Sequence, residues 1–237
     1  MSTTSVAEVF SEVLGSLVHD SDLLGTLARM SQGCADVLDA QAAGLLLTGV
    51  DGRLQVLAAS SHRQVDLEVY RRQADGGPAA ECMAALAPVG AAGSGLAARW
   101  PTLGDAARQA GFGAVCAVPM RWRGTAFGAL TCFRDQEVAF AADEQSLLQS
   151  FADVSTIAIL HVHSSRRADM VATSVREALD GRTVIERAKG VVAFQQDVDM
   201  ATAFTYLMDQ AALRGVGLAE VSRQVVAAAE RQHTPLA

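Results

Sequence analysis

The chain has 237 residues, a length that suits two domains better than one. Half of them are apolar and 19% are charged, which supplies material for packed cores and excludes a disordered chain. The formal net charge of −7 excludes capture of nucleic acid by bulk field, so any such contact needs a local face.

No N-terminal stretch joins basic residues to an apolar run, so no secretory signal is expected. The most apolar helical stretch, 151–162, contains Asp153 and falls short of the roughly 20 residues that a bilayer requires. No membrane association is therefore expected, and the chain reads as cytoplasmic. Cys34, Cys82, Cys116 and Cys132 lack the close spacing of a zinc knuckle or a redox dithiol and read as small core residues. Charge is uneven: the acids outnumber the arginines up to residue 165, while residues 166–237 balance. Lys189 is the only lysine.

Along the chain, Val6, Val9, Phe10, Val13, Leu14 and Leu17 recur at helical spacing. Asp20-Ser21-Asp22 breaks and caps, and Leu23 to Leu38 continues as a second helix. Gly44–Thr48 and Leu54–Ala58 read as strands around Asp51-Gly52, the signature of a two-residue hairpin turn. Residues 63–74 read as a helix. The Gly/Ala/Pro-rich stretch 76–95 reads as loop with a short helix near Glu81–Leu86. Gly90–Gly95 lacks the lysine of a P-loop. Strands at Ala114–Pro119 and Ala126–Phe133 are joined through Arg121–Gly124. This order of elements gives an α+β fold, an antiparallel sheet packed with helices.

From Asp143 the chain is helical. Leu147, Phe151, Val154 and Ala158 form a seam at alternating four- and three-residue steps, which predicts a homodimer through paired helices. His161 and His163 lie on different helical faces and cannot share a metal; no metal and no cofactor is expected. The polar joint 164–167 does not stop the helix, which runs on to Asp180-Gly181. Three helices complete an all-α bundle: 182–196, a second capped by Asp199 and ended by Gly215, and a third burying Leu218, Val221, Val225 and Ala228 before Pro235. The domains are thus 1–162 and 163–237, joined through a long helix.

On the first bundle helix, Val184, Ala188 and Val191 share an apolar arc that Ile185 and Val192 widen. Arg182, Glu186, Lys189, Ala193 and Gln196 occupy the opposite face, with Gly190 on its flank. Arginine and lysine beside a position without a side chain suit a phosphate or a base edge. A solvated face would show the same pattern.

The run Ala178-Leu179-Asp180-Gly181-Arg182, then Val184-Ile185-Glu186-Arg187-Ala188-Lys189-Gly190-Val191, resembles the signature of the ANTAR domain. The likeness continues through Ala203-Phe204, Leu207, Ala211, Leu218–Val221 and Val225-Val226. This resemblance implies a three-helix bundle that binds RNA hairpins in transcript leaders and promotes antitermination. It implies RNA contact at Arg182, Thr183, Lys189 and Gly190, with Ala193 and Gln196 beside them. Glu186 either accepts from a base or holds Arg182. Gly181, Gln195 and the weakly basic segment after Ala211 depart from the usual pattern.

Residues 1–160 are more diffusely similar to GAF domains. The matching pieces are the opening helix pair, the Asp51-Gly52 hairpin, Gly113–Met120, and Gly128–Leu130 followed by Asp143-Glu144. That resemblance implies a sensor or dimer platform with room for an unidentified small-molecule ligand, and the whole reads as a non-enzymatic GAF–ANTAR regulator. Two other classes compete with it. One is a GAF-type reductase acting through cysteines, which leaves the C-terminal bundle unexplained; the other is a protein-binding signalling adaptor.

Overall fold

A computed structural model describes residues 5–19, 22–61, 63–73, 76–161 and 170–233. The opening helices are α1 (Val6–His19) and α2 (Leu23–Val37). Asp22 caps α2 by accepting from the Gly25 amide at 3.2 Å. Five strands form one antiparallel sheet: β1 (Ala42–Thr48), β2 (Leu54–Ala59), β3 (Val89–Ala92), β4 (Ala114–Trp122) and β5 (Thr125–Arg134), in the order β2-β1-β5-β4-β3. Between β2 and β3 lie α3 (Gln64–Arg72) and α4 (Pro78–Ala85), and between β3 and β4 lie α5 (Ser94–Arg99) and α6 (Pro101–Ala110). The long α7 (Ala142–His161) follows.

Alternation along the strands sorts side chains to two cores. Cys116, Val118, Met120, Leu130 and Cys132 join the α1, α2 and α7 side, where Leu27, Met30, Leu148 and Phe151 are buried. Val115 and Phe133 face the other side with Tyr70, Trp100, Leu103 and Phe112.

The α+β class holds, and several local expectations are corrected. The Gly90 stretch is a strand, not a loop: a Cβ on Gly90 would sit 2.8 Å from the Val115 carbonyl oxygen, so the bare backbone lets β3 close against β4. The β1–β2 connection is a longer turn, with the Gly49 amide bonded to the Arg53 carbonyl and Gly52 at φ +76°. The two-residue turn is instead Arg123-Gly124 between β4 and β5.

The tail is α8 (Met170–Gln196), α9 (Met200–Arg214) and α10 (Leu218–His233). Asp199 caps α9 through the Thr202 amide at 2.7 Å, and left-handed Gly215 ends it. Asp180-Gly181 does not break the helix, because α8 runs straight through both. Gly181 serves packing: a Cβ there would lie 2.5 Å from Leu24 Cδ1 of α2. The expected boundary at 162/163, the joint at 164–167, His163 and Pro235 fall outside the described residues.

Among the expected seam residues, Phe151 and Ala158 are fully buried within the chain, and Leu147 and Val154 are half-buried. Phe151 packs on Phe10 with ring centroids 4.7 Å apart. The part of the seam centred on Phe151 therefore belongs to the chain's own core, because α1 and α2 pack against that side of α7.

Candidate functional site

The apolar stripe of α8 is Ile185, Ala188 and Val192, which pack with Ala203, Leu207, Leu218 and Val221 of α9 and α10. This centre lies one residue round from the arc expected from the sequence, since Val184 and Val191 are only half-buried. The rotation carries Lys189 inward. Its side chain is fully buried, with the ammonium 5.8 Å from the Phe204 ring centroid and 3.0 Å from Glu186 Oε2.

Arg182 is also covered, its side chain only 13% exposed. One guanidinium nitrogen lies 2.7 Å from Glu186 Oε1, and another donates to the Leu57 carbonyl of β2 at 3.1 Å. Glu186 thus bridges both cations. Burial pulls the Arg182 guanidinium below its ordinary value, with Glu186 opposing that pull. Burial likewise lowers Lys189, again against Glu186. The expectation that Lys189 points away from the bundle core is thereby corrected, while Arg182 does point away from it but is covered by β2 rather than open.

The seven expected RNA-contact residues do not form one open face. Arg182, Glu186, Lys189 and Ala193, at helical steps of four, three and four, form a covered stripe in which Ala193 packs against the core. Thr183 and Gly190 are exposed on a second stripe, and Gln196 is exposed at the helix end. The Thr183 hydroxyl donates to the Leu179 carbonyl at 3.2 Å. A Cβ on Gly190 would meet nothing within 4 Å.

The open stripe also carries Arg187 and Phe194, neither of which is among the expected RNA-contact residues. Phe194 is 84% exposed. Arg187 makes a solvent-exposed ion pair with Glu230 of α10 at 3.0 Å, a kind of contact that contributes little and exchanges readily. The spacing 183, 187, 190, 194 was present in the sequence, but placing the apolar arc one residue off hid it.

The tail packs on the front domain through α8 against β2, α7 and α2, and through α10 against α2. A cleft of about 410 Å³ between α2 and α9 is lined by Asp22, Arg29, Met208, Asp209 and Val216 among others. In the front domain, Gln73 is fully buried: its amide nitrogen donates to Thr131 Oγ1 at 3.2 Å, while its carbonyl oxygen has no partner among the described residues. The four cysteines are buried and free. Burial pushes the Cys82 and Cys116 thiols up to about 12, which disfavours the nucleophilic thiolate that a reductase requires. Cys34 and Cys132, distant in sequence, bring their sulfurs within 3.6 Å. No helix among the described residues is long and apolar enough to cross a membrane.

Comparison with known proteins agrees with this layout. The GAF domain model matches residues 22–159 and the ANTAR domain model residues 173–226. None of the curated proteins matches the chain. Among solved structures, the GAF domain of an Acinetobacter phosphoenolpyruvate-protein phosphotransferase is 15% identical, covering 71% of this chain and 100% of that one, with a TM-score of 0.51. The phycocyanobilin-bound GAF domain of a cyanobacterial phytochrome is 12% identical, covering 68% and 97%, with a TM-score of 0.53. The GAF domain of a phosphoenolpyruvate-protein phosphotransferase from Coxiella burnetii is 15% identical, covering 69% and 98%, with a TM-score of 0.50. At such identities the likeness shows the fold alone. The chain belongs to the GAF family through its front domain and carries, as its tail, an ANTAR domain, an RNA-binding antitermination module.

Proposed function

We propose that the protein is a cytoplasmic regulator that binds RNA hairpins in transcript leaders through α8 and alters transcription termination without catalysis. The observation that carries this reading is the open stripe of α8. Gly190 offers bare, solvent-facing backbone flanked by Arg187 and Phe194, so a nucleotide can approach the helix between a cation and an aromatic face. Thr183 and Gln196 adjoin it. Arg182 and Lys189 join the contact once Glu186 gives them up to phosphate oxygens, which compete with its carboxylate for the same donors.

The GAF domain controls this step by holding α8. Arg182 is engaged by Leu57 of β2, and Gly181 lies against Leu24. A signal that loosens this contact frees Arg182. The buried Gln73 carbonyl oxygen is a ready acceptor for a small-molecule donor in the sensor domain. A homodimer belongs to the same reading, through the outer flank of α7, where half-buried Leu147 and Val154 adjoin Ile157, 54% exposed. Two tails in a dimer would bind RNA together through effective concentration.

The test is selection of RNA from the native transcript pool on the full-length protein, repeated with Gly190→Leu. A leucine there covers the open stripe, and its Cβ meets no neighbour within 4 Å. Enrichment of hairpins by the parent and their loss in the variant is the expected result. Capture of proteins without RNA would favour the adaptor reading instead.

A further inference from the structure

We propose that the tip of the β4–β5 hairpin is a second RNA-contact surface, where Trp122 stacks an unpaired base and Arg121 and Arg123 meet the flanking phosphates. This rests on the reading of the tail as RNA-binding, and it assigns part of the RNA contact to the sensor domain.

The turn itself is unusual. β4 ends at Trp122 and β5 begins at Thr125, so the connection is Arg123-Gly124, with φ +50° and +84°. Two positive φ values in a two-residue hairpin turn favour Asn, Asp or Gly at the first position. An arginine in the left-handed region is disfavoured by contact of its Cβ with the backbone, and such strain persists where surrounding structure or function requires it. Here it sets the Arg123 guanidinium 5.5 Å from the centroid of the Trp122 ring. That indole is 43% exposed, a large aromatic surface left to solvent.

Arg121 and Arg123 are exposed, and among the described residues neither pairs with a carboxylate. Arg121 donates to the Leu86 carbonyl at 3.4 Å, which holds its position without cancelling its charge. The neighbouring β1–β2 turn adds exposed Arg53, while its one acid, Asp51, accepts from the Arg53 backbone amide at 3.1 Å. In a chain of net charge −7, three exposed arginines against one aspartate around an indole form a local exception. Arginines beside an exposed aromatic ring are the combination that binds single-stranded nucleic acid, because every base has a face to stack and every linkage a charge.

Position agrees with chemistry. Both turns lie at one end of the sheet, since Leu47 pairs with Gly128, Thr48 with Leu54 and Trp122 with Thr125. Leu57, where Arg182 docks, sits level with Ala129 and Pro119 through the register of β1, β5 and β4. Three strand spacings of about 14 Å in all and three residues of rise, about 10 Å, separate it from Trp122, a span of roughly 17 Å. One hairpin held beside Arg182, midway along α8, can reach the tip.

The test uses the full chain and labelled RNA hairpins with a randomised loop, measured by filter retention at two salt concentrations and by tryptophan fluorescence. The chain has two tryptophans, and Trp100 is 4% exposed with its indole N–H given to Glu81 at 2.8 Å. Quenching by RNA therefore reports Trp122. Trp122→Ala is expected to abolish the quench and weaken binding about tenfold. Arg123→Asn suits the turn better, so it is expected to raise the melting temperature, weaken binding about fivefold and reduce the salt slope by about one ion. If the parent retains RNA and Gly190→Leu does not, yet both hairpin variants bind like the parent, the tip is not an RNA surface and the tail reading stands. Failure of the parent to retain any hairpin overturns both.

Discussion

The Arg182 guanidinium donates to the carbonyl of Leu57, and Leu57 is the residue skipped in the β1–β2 register. Val56 pairs with Leu46 and Ala58 with Leu45, so a bulge interrupts the ladder at Leu57. That irregularity on the edge strand receives the first helix of the tail. The same arginine is bridged through the half-buried Glu186 to Lys189, so the front domain holds one end of a partly buried charge chain.

Lys189 is therefore not a surface cation. Lys189→Met keeps most of the buried stem, and Glu186 keeps Arg182, so no charge is left alone. Urea unfolding should place the variant within about 1 kcal/mol of the parent, or above it, while hairpin retention falls. Lys189→Ala should instead unfold more readily, because it also leaves a cavity.

Gly190 separates stability from binding in the opposite sense. Gly190→Ala has room and should stabilise α8 by up to about 1 kcal/mol. A rise in melting temperature with weaker RNA retention is expected; a rise with unchanged retention would remove Gly190 from the interface.

The α7 flank distinguishes assembly from folding. Phe151→Glu places a charge in a fully buried site beside Phe10 and should unfold the protein. Ile157→Glu changes an exposed residue and should leave the circular dichroism spectrum intact while light scattering shifts from dimer to monomer. A parent that is already monomeric at micromolar concentration would contradict the dimer.

Alkaline pH should destabilise the sensor domain through its thiols. Cys82 and Cys116 stay protonated in the fold up to about 12, against an ordinary value of 9.0. Their folded-state values are raised, so the stability they contribute is complete below pH 9 and is lost between 9 and 12 as the unfolded chain releases the protons. Each thiol contributes a slope of about −1.4 kcal/mol per pH unit in that window. Lys189, lowered by burial, acts with the opposite sign below its ordinary 10.5. Urea midpoints measured on both sides of pH 9 test this, and Cys82→Ala should flatten the decline.

The opening helices, α3, α7, the last two tail helices, the caps of α2 and α9 and the order of the two domains were legible in the sequence, whereas α5 and α6 were not. Asp22 and Asp199 cap as their position before an apolar run suggests. What was hidden depends on tertiary partners. Gly90 reads as loop until Val115 closes on it, and Asp180-Gly181 reads as a break until Leu24 fills the space beside it. The binding face suffered most. A helical wheel does not show that Ile185, rather than Val184, faces α9 and α10, and that single step turned Lys189 inward and left Arg187 and Phe194 unnoticed. The contact between Arg182 and Leu57 joins residues 125 apart, a separation that no local pattern encodes.

Restraint of the RNA-binding helix by the GAF domain is tested most directly with Gly181→Leu in the full-length protein. A side chain there collides with Leu24 and wedges α8 from α2, while Arg182, Lys189 and Gly190 remain. Hairpin retention should tighten several-fold relative to the parent, with faster hydrogen exchange across residues 179–186 and unchanged helical content. Faster exchange with equal or weaker RNA binding would contradict restraint by the sensor.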